Sequence, residues 1–105
     1  MTNLIMLNFA DDVAKELDNV GLNKPLLDKA YMNSNYHVII IDSNNKTIYD
    51  NRFDINGSDY SHNPAYKQAI LNKCIGECNV QYNNVCTHYL AIYNGINVIM
   101  VSEEK

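Results

Sequence analysis

The sequence is short of basic charge, of glycine and proline, and of long apolar runs. It holds a single arginine, Arg52, and its formal net charge is −4 at pH 7. Neutralising phosphates takes a stripe of Lys and Arg, so a nucleic-acid partner is excluded. No run approaches the roughly eighteen apolar residues of a membrane-spanning helix. Nor do a basic segment, an apolar segment and a small-residue cleavage site follow one another as in a secretory leader. Any membrane attachment is therefore expected from flanking spans outside these residues. Four glycines and two prolines, with 47% hydrophobic and 19% charged residues, describe a globular chain. At 105 residues it has room for one domain with one modest core. Three cysteines are an odd number. A secreted protein would leave one of them unbridged or give it to a partner, and a cytosolic one would keep all three reduced.

What is present is organised around Tyr36 to Asp50, YHVIIIDSNNKTIYD. Val38 to Ile41 are β-branched in succession, which suits a strand covered on both faces. Asp42 to Asn45 is turn chemistry. Lys46 to Asp50 returns as a strand with Ile48 on one face and Thr47 and Tyr49 on the other. Before this hairpin, residues 2 to 20 read as a helix capped by Thr2 or Asn3 and stopped by Gly21. Its stripe is Met6, Phe9, Ala10, Val13, Leu17 and Val20, and Asp11 and Lys15 are spaced for an ion pair. The first turn, Leu4 to Leu7, is apolar all round. It suits either a turn packed on the body or a helix running on into a partner helix or a membrane span. A shorter helix starts at Asn23 or Lys24, with Pro25 in its first turn and an apolar face of Leu26, Leu27, Ala30 and Tyr31.

After the hairpin, Asn51 to Asn63 reads as a loop, longer than most connections and so a candidate for function. Asn63-Pro64 opens a helix supported by Ala65, Ala69, Ile70 and Leu71 to about Lys73, with Gly76 closing it. Cys78 to Tyr82 is a strand, Asn83-Asn84 a turn, and Val85 to Tyr93 a longer strand. Asn94-Gly95 is the strongest short hairpin signal in the chain, and Ile96 to Ser102 is the return strand. That register sets Tyr93 against Ile96, Ala91 against Val98 and Tyr89 against Met100. The expectation is an α+β fold: a long N-terminal helix (1–21) packed on a sheet of about five antiparallel strands (36–102), the Tyr36 to Asp42 strand near its middle, and a helical insertion at 51–75.

This order resembles the PAS-like fold, and more narrowly the extracytoplasmic PAS or Cache-type sensor domains of bacterial two-component histidine kinases. The resemblance is carried by HVIIIDSNNKTIYDNR at 37 to 52, HNPAYKQAI at 62 to 70 and YLAIYNGINVIMVS at 89 to 102. It implies a sensor domain on the extracytoplasmic face of a bacterial membrane, held by flanking spans and passing a signal to a kinase. The kinase core itself is not in these residues. The alternative is a soluble cytosolic PAS-like interaction module.

The resemblance also implies a ligand between the sheet and the insertion. The candidates there are Asp50, Arg52, Tyr60, His62 and Tyr66, with Tyr89 and Tyr93 as walls. Arg52 is a planar fork suited to a small acidic ligand, and Asp50, Asp59 and His62 are near enough in sequence to orient it. The competing expectation is a salt bridge from Arg52 to Asp50 or Asp59. Cys74, Cys78, Cys86 and His88 are an allowed zinc set, but C-x3-C-x7-C-x-H is not a compact two-knuckle spacing. No metal or cofactor is therefore expected. Cys86 and His88 side by side on a strand are not an oriented dyad, and no paired carboxylates or glycine-rich phosphate loop occur, so no enzyme activity is expected of these residues. Surplus apolar surface at Leu4, Ile5 and Leu7 points to a homodimer through the first helix.

Overall fold

The computed structural model describes residues 2–105. Asn3 has extended backbone, and its side chain accepts from the Ile5 and Met6 amides, which fixes the start of helix α1, Leu4–Val20. Gly21 ends it at φ 66°, a conformation that costs glycine little. Met6, Ala10, Val13 and Leu17 are buried, with Phe9 and Val20 packed beside them. Asp11 and Lys15 are both exposed and make no ion pair. The i,i+4 pair that does form is Lys24–Asp28, at 2.5 Å, in α2. Asn23 caps α2, Lys24–Tyr31, which buries Leu27 and Tyr31. Leu26 and Ala30 face solvent instead, because a helix of two turns presents only one i,i+4 pair to the body.

The strands are β1 (His37–Ile41), β2 (Thr47–Asp50), β3 (Ile75–Tyr82), β4 (Val85–Tyr93) and β5 (Val98–Glu104). A 3-10 turn, Ile55–Gly57, and helix α3, Pro64–Asn72, lie between β2 and β3. The five strands form one sheet in the order β2-β1-β5-β4-β3, every neighbouring pair antiparallel. β1 is interior, as its β-branched run requires, but the middle strand is β5. Both faces are covered. Val38 and Ile40 join α1 and α2 in one core, with Leu90, Ile99 and Val101. Ile39 and Ile41 join Ala65, Tyr66 and Ala69 of α3 in a second, with Ala91 and Met100. Two cores explain why the run lacks a polar position.

Three local readings change. Tyr93 pairs with Val98, Ala91 with Met100 and Tyr89 with Ser102, so the last hairpin turns on Gly95-Ile96 rather than Asn94-Gly95. The Asn94 side chain is drawn inward, accepting from the Ile96 and Asn97 amides, and only Gly95 of the two turn residues has positive φ. In β2, Thr47 pairs with Ile41 and Tyr49 with Ile40, so Ile48 is the extra residue of a β-bulge. Thr47 and Tyr49 therefore face opposite sides, and Tyr49 reaches the α1 core. Helix α3 ends at Lys73, which takes the left-handed conformation at φ 53°. Gly76 lies inside β3, where a Cβ would stand 2.0 Å from the Ala65 carbonyl oxygen and 2.8 Å from the Ala69 nitrogen. That close approach turns Ala65 and Ala69 inward and leaves Ile70 and Leu71 exposed.

Candidate functional site

α3 covers one end of its sheet face, and the loop after β2 crosses the other. At that second end the strands set His37, Ser102 and Tyr89 side by side across β1, β5 and β4. A cavity of about 210 Å³ opens there, lined by His37, Arg52, Phe53, Tyr60 and Tyr89, with Thr87 and the end of β5 from Ser102 to Glu104. The Phe53 and Tyr60 rings both stand edgewise to the His37 ring, at centroid distances of 5.2 and 6.5 Å.

His37 is held from behind. Its Nε2 lies 2.8 Å from Asp50 Oδ1, and both side chains are buried. The same oxygen accepts from the Arg52 and Phe53 amides at 2.8 and 2.9 Å, so Asp50 also shapes the first turn of the loop. Burial works against its charge, but the His37 ring and the two amides outweigh burial and hold the carboxyl below its ordinary range. Its other oxygen, Oδ2, is buried without a partner. The Asn51 side chain donates to the Tyr31 and Tyr36 carbonyls and accepts from Val38, fastening the loop to the body.

Arg52 points its guanidinium at main-chain oxygens: Nη2 donates to Asn35 at 2.9 Å and more weakly to Ser34 at 3.5 Å. Neither Asp50 nor Asp59 forms a salt bridge with it. Asp59 accepts from Ser61 through backbone and hydroxyl, and His62 is exposed, so neither orients Arg52. Tyr66 is buried in α3 and donates its hydroxyl to the Asn45 side chain, tying helix to turn rather than facing the cavity. Tyr93 lies four residues along β4 from Tyr89 and donates to the Gly95 carbonyl. Of the seven candidates, Arg52, Tyr60 and Tyr89 line the cavity and Asp50 supports it, while His62, Tyr66 and Tyr93 do not. Burial, with the Asp50 charge second, pushes the Tyr60 hydroxyl up to about 12, and burial raises Tyr89. Both therefore stay neutral donors near neutral pH.

Sequence reasoning missed His37, although the signal was there: a histidine opening a strand whose hairpin partner closes on aspartate. It missed Phe53 because an aromatic in a polar loop has no periodicity to place it.

The thiol set is dispersed. Cys86 and His88 share the α1 face of β4 by alternation, whereas Cys78 packs into the core on the α3 side and Cys74 is exposed. His88 is instead paired with Glu77, at 2.5 Å. Among the described residues no group of three or more His, Cys, Asp or Glu is placed to hold a metal ion. Among them also, no helix is long and apolar enough to cross a membrane. No family model, no curated protein and no solved structure matches this chain.

Proposed function

We propose that the chain is a PAS-like sensor domain of the extracytoplasmic type, part of a membrane-bound two-component histidine kinase. Its spans and kinase core would lie in flanking sequence, and it would pair with a second copy through α1. Support comes first from architecture: a long leading helix, a loop and helix inserted after the second strand, and a closing three-strand meander. The observation that carries the ligand-sensing reading is the meeting of Arg52, Tyr60 and Tyr89 at one cavity, backed by the buried His37–Asp50 pair. A rigid sheet floor under an adaptable loop is where recognition groups are usefully placed. A nitrogen-labelled sample titrated with a metabolite library tests the site. Shifts centred on the His37, Phe53 and Tyr89 amides are expected, and shifts confined to other surfaces overturn it. The gene sequence on either side tests the receptor assignment, for which membrane spans before residue 1 and after residue 105 are expected.

The cysteines favour a second reading, a soluble cytosolic interaction module of the same fold. Cys78 and Cys86 lie on opposite faces of the sheet and Cys74 is exposed, so the three thiols are arranged as in a reducing compartment. Thiol counting on protein secreted through an oxidising compartment separates the two. Three titratable thiols after denaturation favour the cytosolic module, and an intermolecular bridge through Cys74 favours the receptor.

A further inference from the structure

We propose that the cavity beside His37 takes a small organic cation, an alkylated ammonium, rather than an acidic ligand. The proposal rests on the sensor reading only for the location of the site. Its basis is the chemistry of the walls. Phe53, Tyr60 and Tyr89 bring three aromatic rings to one small space, and the π face of such a ring attracts a cation, most strongly when the charge carries methyl groups instead of tight water. Carboxylates supply the matching sign. Glu104 stands at the rim on the Tyr89 side of the sheet, Glu103 also lines the opening, and neither has an ion-pair partner among the described residues. Asp50 adds a third negative charge behind His37.

The field of these groups reaches the walls. After burial, which is the larger cause in each case, the Asp50 charge raises Tyr60, and Tyr89 is raised by Cys78, whose own thiol is kept neutral near neutral pH by burial, and by the Glu104 charge. An anion entering here would meet Glu103 and Glu104 at the opening, with Asp50 behind His37. Two groups that could receive it border the space: the His37 ring, already engaged by Asp50 at 2.8 Å, and Arg52, whose guanidinium already donates to the Asn35 carbonyl at 2.9 Å and sits exposed, where solvent screens it. The volume, about 210 Å³, is below that of a drug-sized pocket and suits a headgroup with a short tail. Any longer tail has a way out, because Thr87, Tyr89 and Glu104 also line an open groove running to Tyr82.

The probes are choline chloride, its neutral carbon isostere in which carbon replaces the ammonium nitrogen, and sodium acetate. Each is titrated into the nitrogen-labelled domain at constant ionic strength near neutral pH. Choline is expected to shift the His37, Phe53, Tyr60, Tyr89 and Glu104 amides saturably. Phe53→Leu should weaken it about fivefold and Glu104→Gln roughly two- to fivefold. Phe53 is 65% exposed and Glu104 is exposed, so both variants are expected to fold, and an unchanged spectrum away from the cavity checks it. Equal binding of the neutral isostere overturns the proposal, since shape would then suffice. No shift with choline, or no weakening in either variant, also overturns it. Acetate shifting these amides where choline does not overturns the cation but leaves the sensory site in place.

Discussion

Asp50 accepts three hydrogen bonds through a single oxygen, from the His37 ring and the Arg52 and Phe53 amides, and it is the residue where the sheet hands over to the loop. Removing it strands buried donors as well as breaking a buried pair. Asp50→Ala is therefore expected to cost about 3 kcal/mol in urea-unfolding free energy, with the Arg52 and Phe53 amides losing protection from exchange. The carboxyl is held below its ordinary 3.8 in the folded state. A depressed acid contributes stability above its unfolded value and loses it as pH falls through the folded value. Acidification from neutral should thus leave this contribution intact down to about pH 4, then remove it. Asp50→Asn keeps the shape and should flatten that part of the stability profile; a profile unchanged from wild type below pH 4 would show that other carboxylates dominate. At this scale the sequence pointed to Asp50, Arg52, Tyr60 and Tyr89 because they sit at strand ends, on a strand, or in an overlong loop. It was silent on how Arg52 is used. The carbonyls it meets belong to Ser34 and Asn35, and a main-chain acceptor carries no side-chain signature.

The elements themselves were largely legible, since caps, left-handed turns and β-branched runs are local chemistry: Asn3, Asn23 and Asn63 cap the helices, and Asn83-Asn84 both take positive φ. What misled was chemistry decided by neighbours. Asn94-Gly95 is a strong turn signal, yet the turn moved one residue along, with the Asn94 side chain accepting from the Ile96 and Asn97 amides and Gly95 alone of the turn residues at positive φ. Of the four apolar residues that supported α3, Ala65 and Ala69 dock the helix, whereas Ile70 and Leu71 stay exposed. Gly76 makes that docking possible, and Gly76→Ala should show it. The added methyl would overlap the α3 backbone rather than a movable side chain. We expect a loss of about 3 kcal/mol or more, visible as a lowered urea midpoint. The control is Gly57→Ala, where the added carbon meets nothing within 4 Å and stability should stay within about 0.5 kcal/mol of wild type. Similar losses in both would mean that backbone freedom, not α3 docking, explains Gly76.

On the scale of the whole molecule, the sheet is a floor shared by two covers, and both leave apolar surface behind, Leu4 and Ile5 on α1 and Ile70 and Leu71 on α3. Leu7 packs against the core, correcting its assignment to the outer surface. Leu4 and Ile5, 67% and 73% exposed, remain outside. This end of the helix is not loose: the Asn3 amide donates to Glu77, which is itself paired with His88 on β4. The two side chains are thus displayed from an anchored turn, which lowers the ordering cost of covering them with a second copy. Two exposed residues on each partner make a small contact, so the dimer should be weak and concentration-dependent. Sedimentation velocity across a dilution series should show the wild-type average mass rising with concentration. Leu4→Glu with Ile5→Glu should hold the chain monomeric, with an unfolding free energy changed by less than about 0.5 kcal/mol because neither side chain is in the core. Leu7→Glu separates the two roles. It should destabilise the monomer itself, since Leu7 touches the sheet-side cluster. A wild-type chain monomeric at every concentration, with the double variant indistinguishable from it, would remove α1 as a route by which one copy communicates with another.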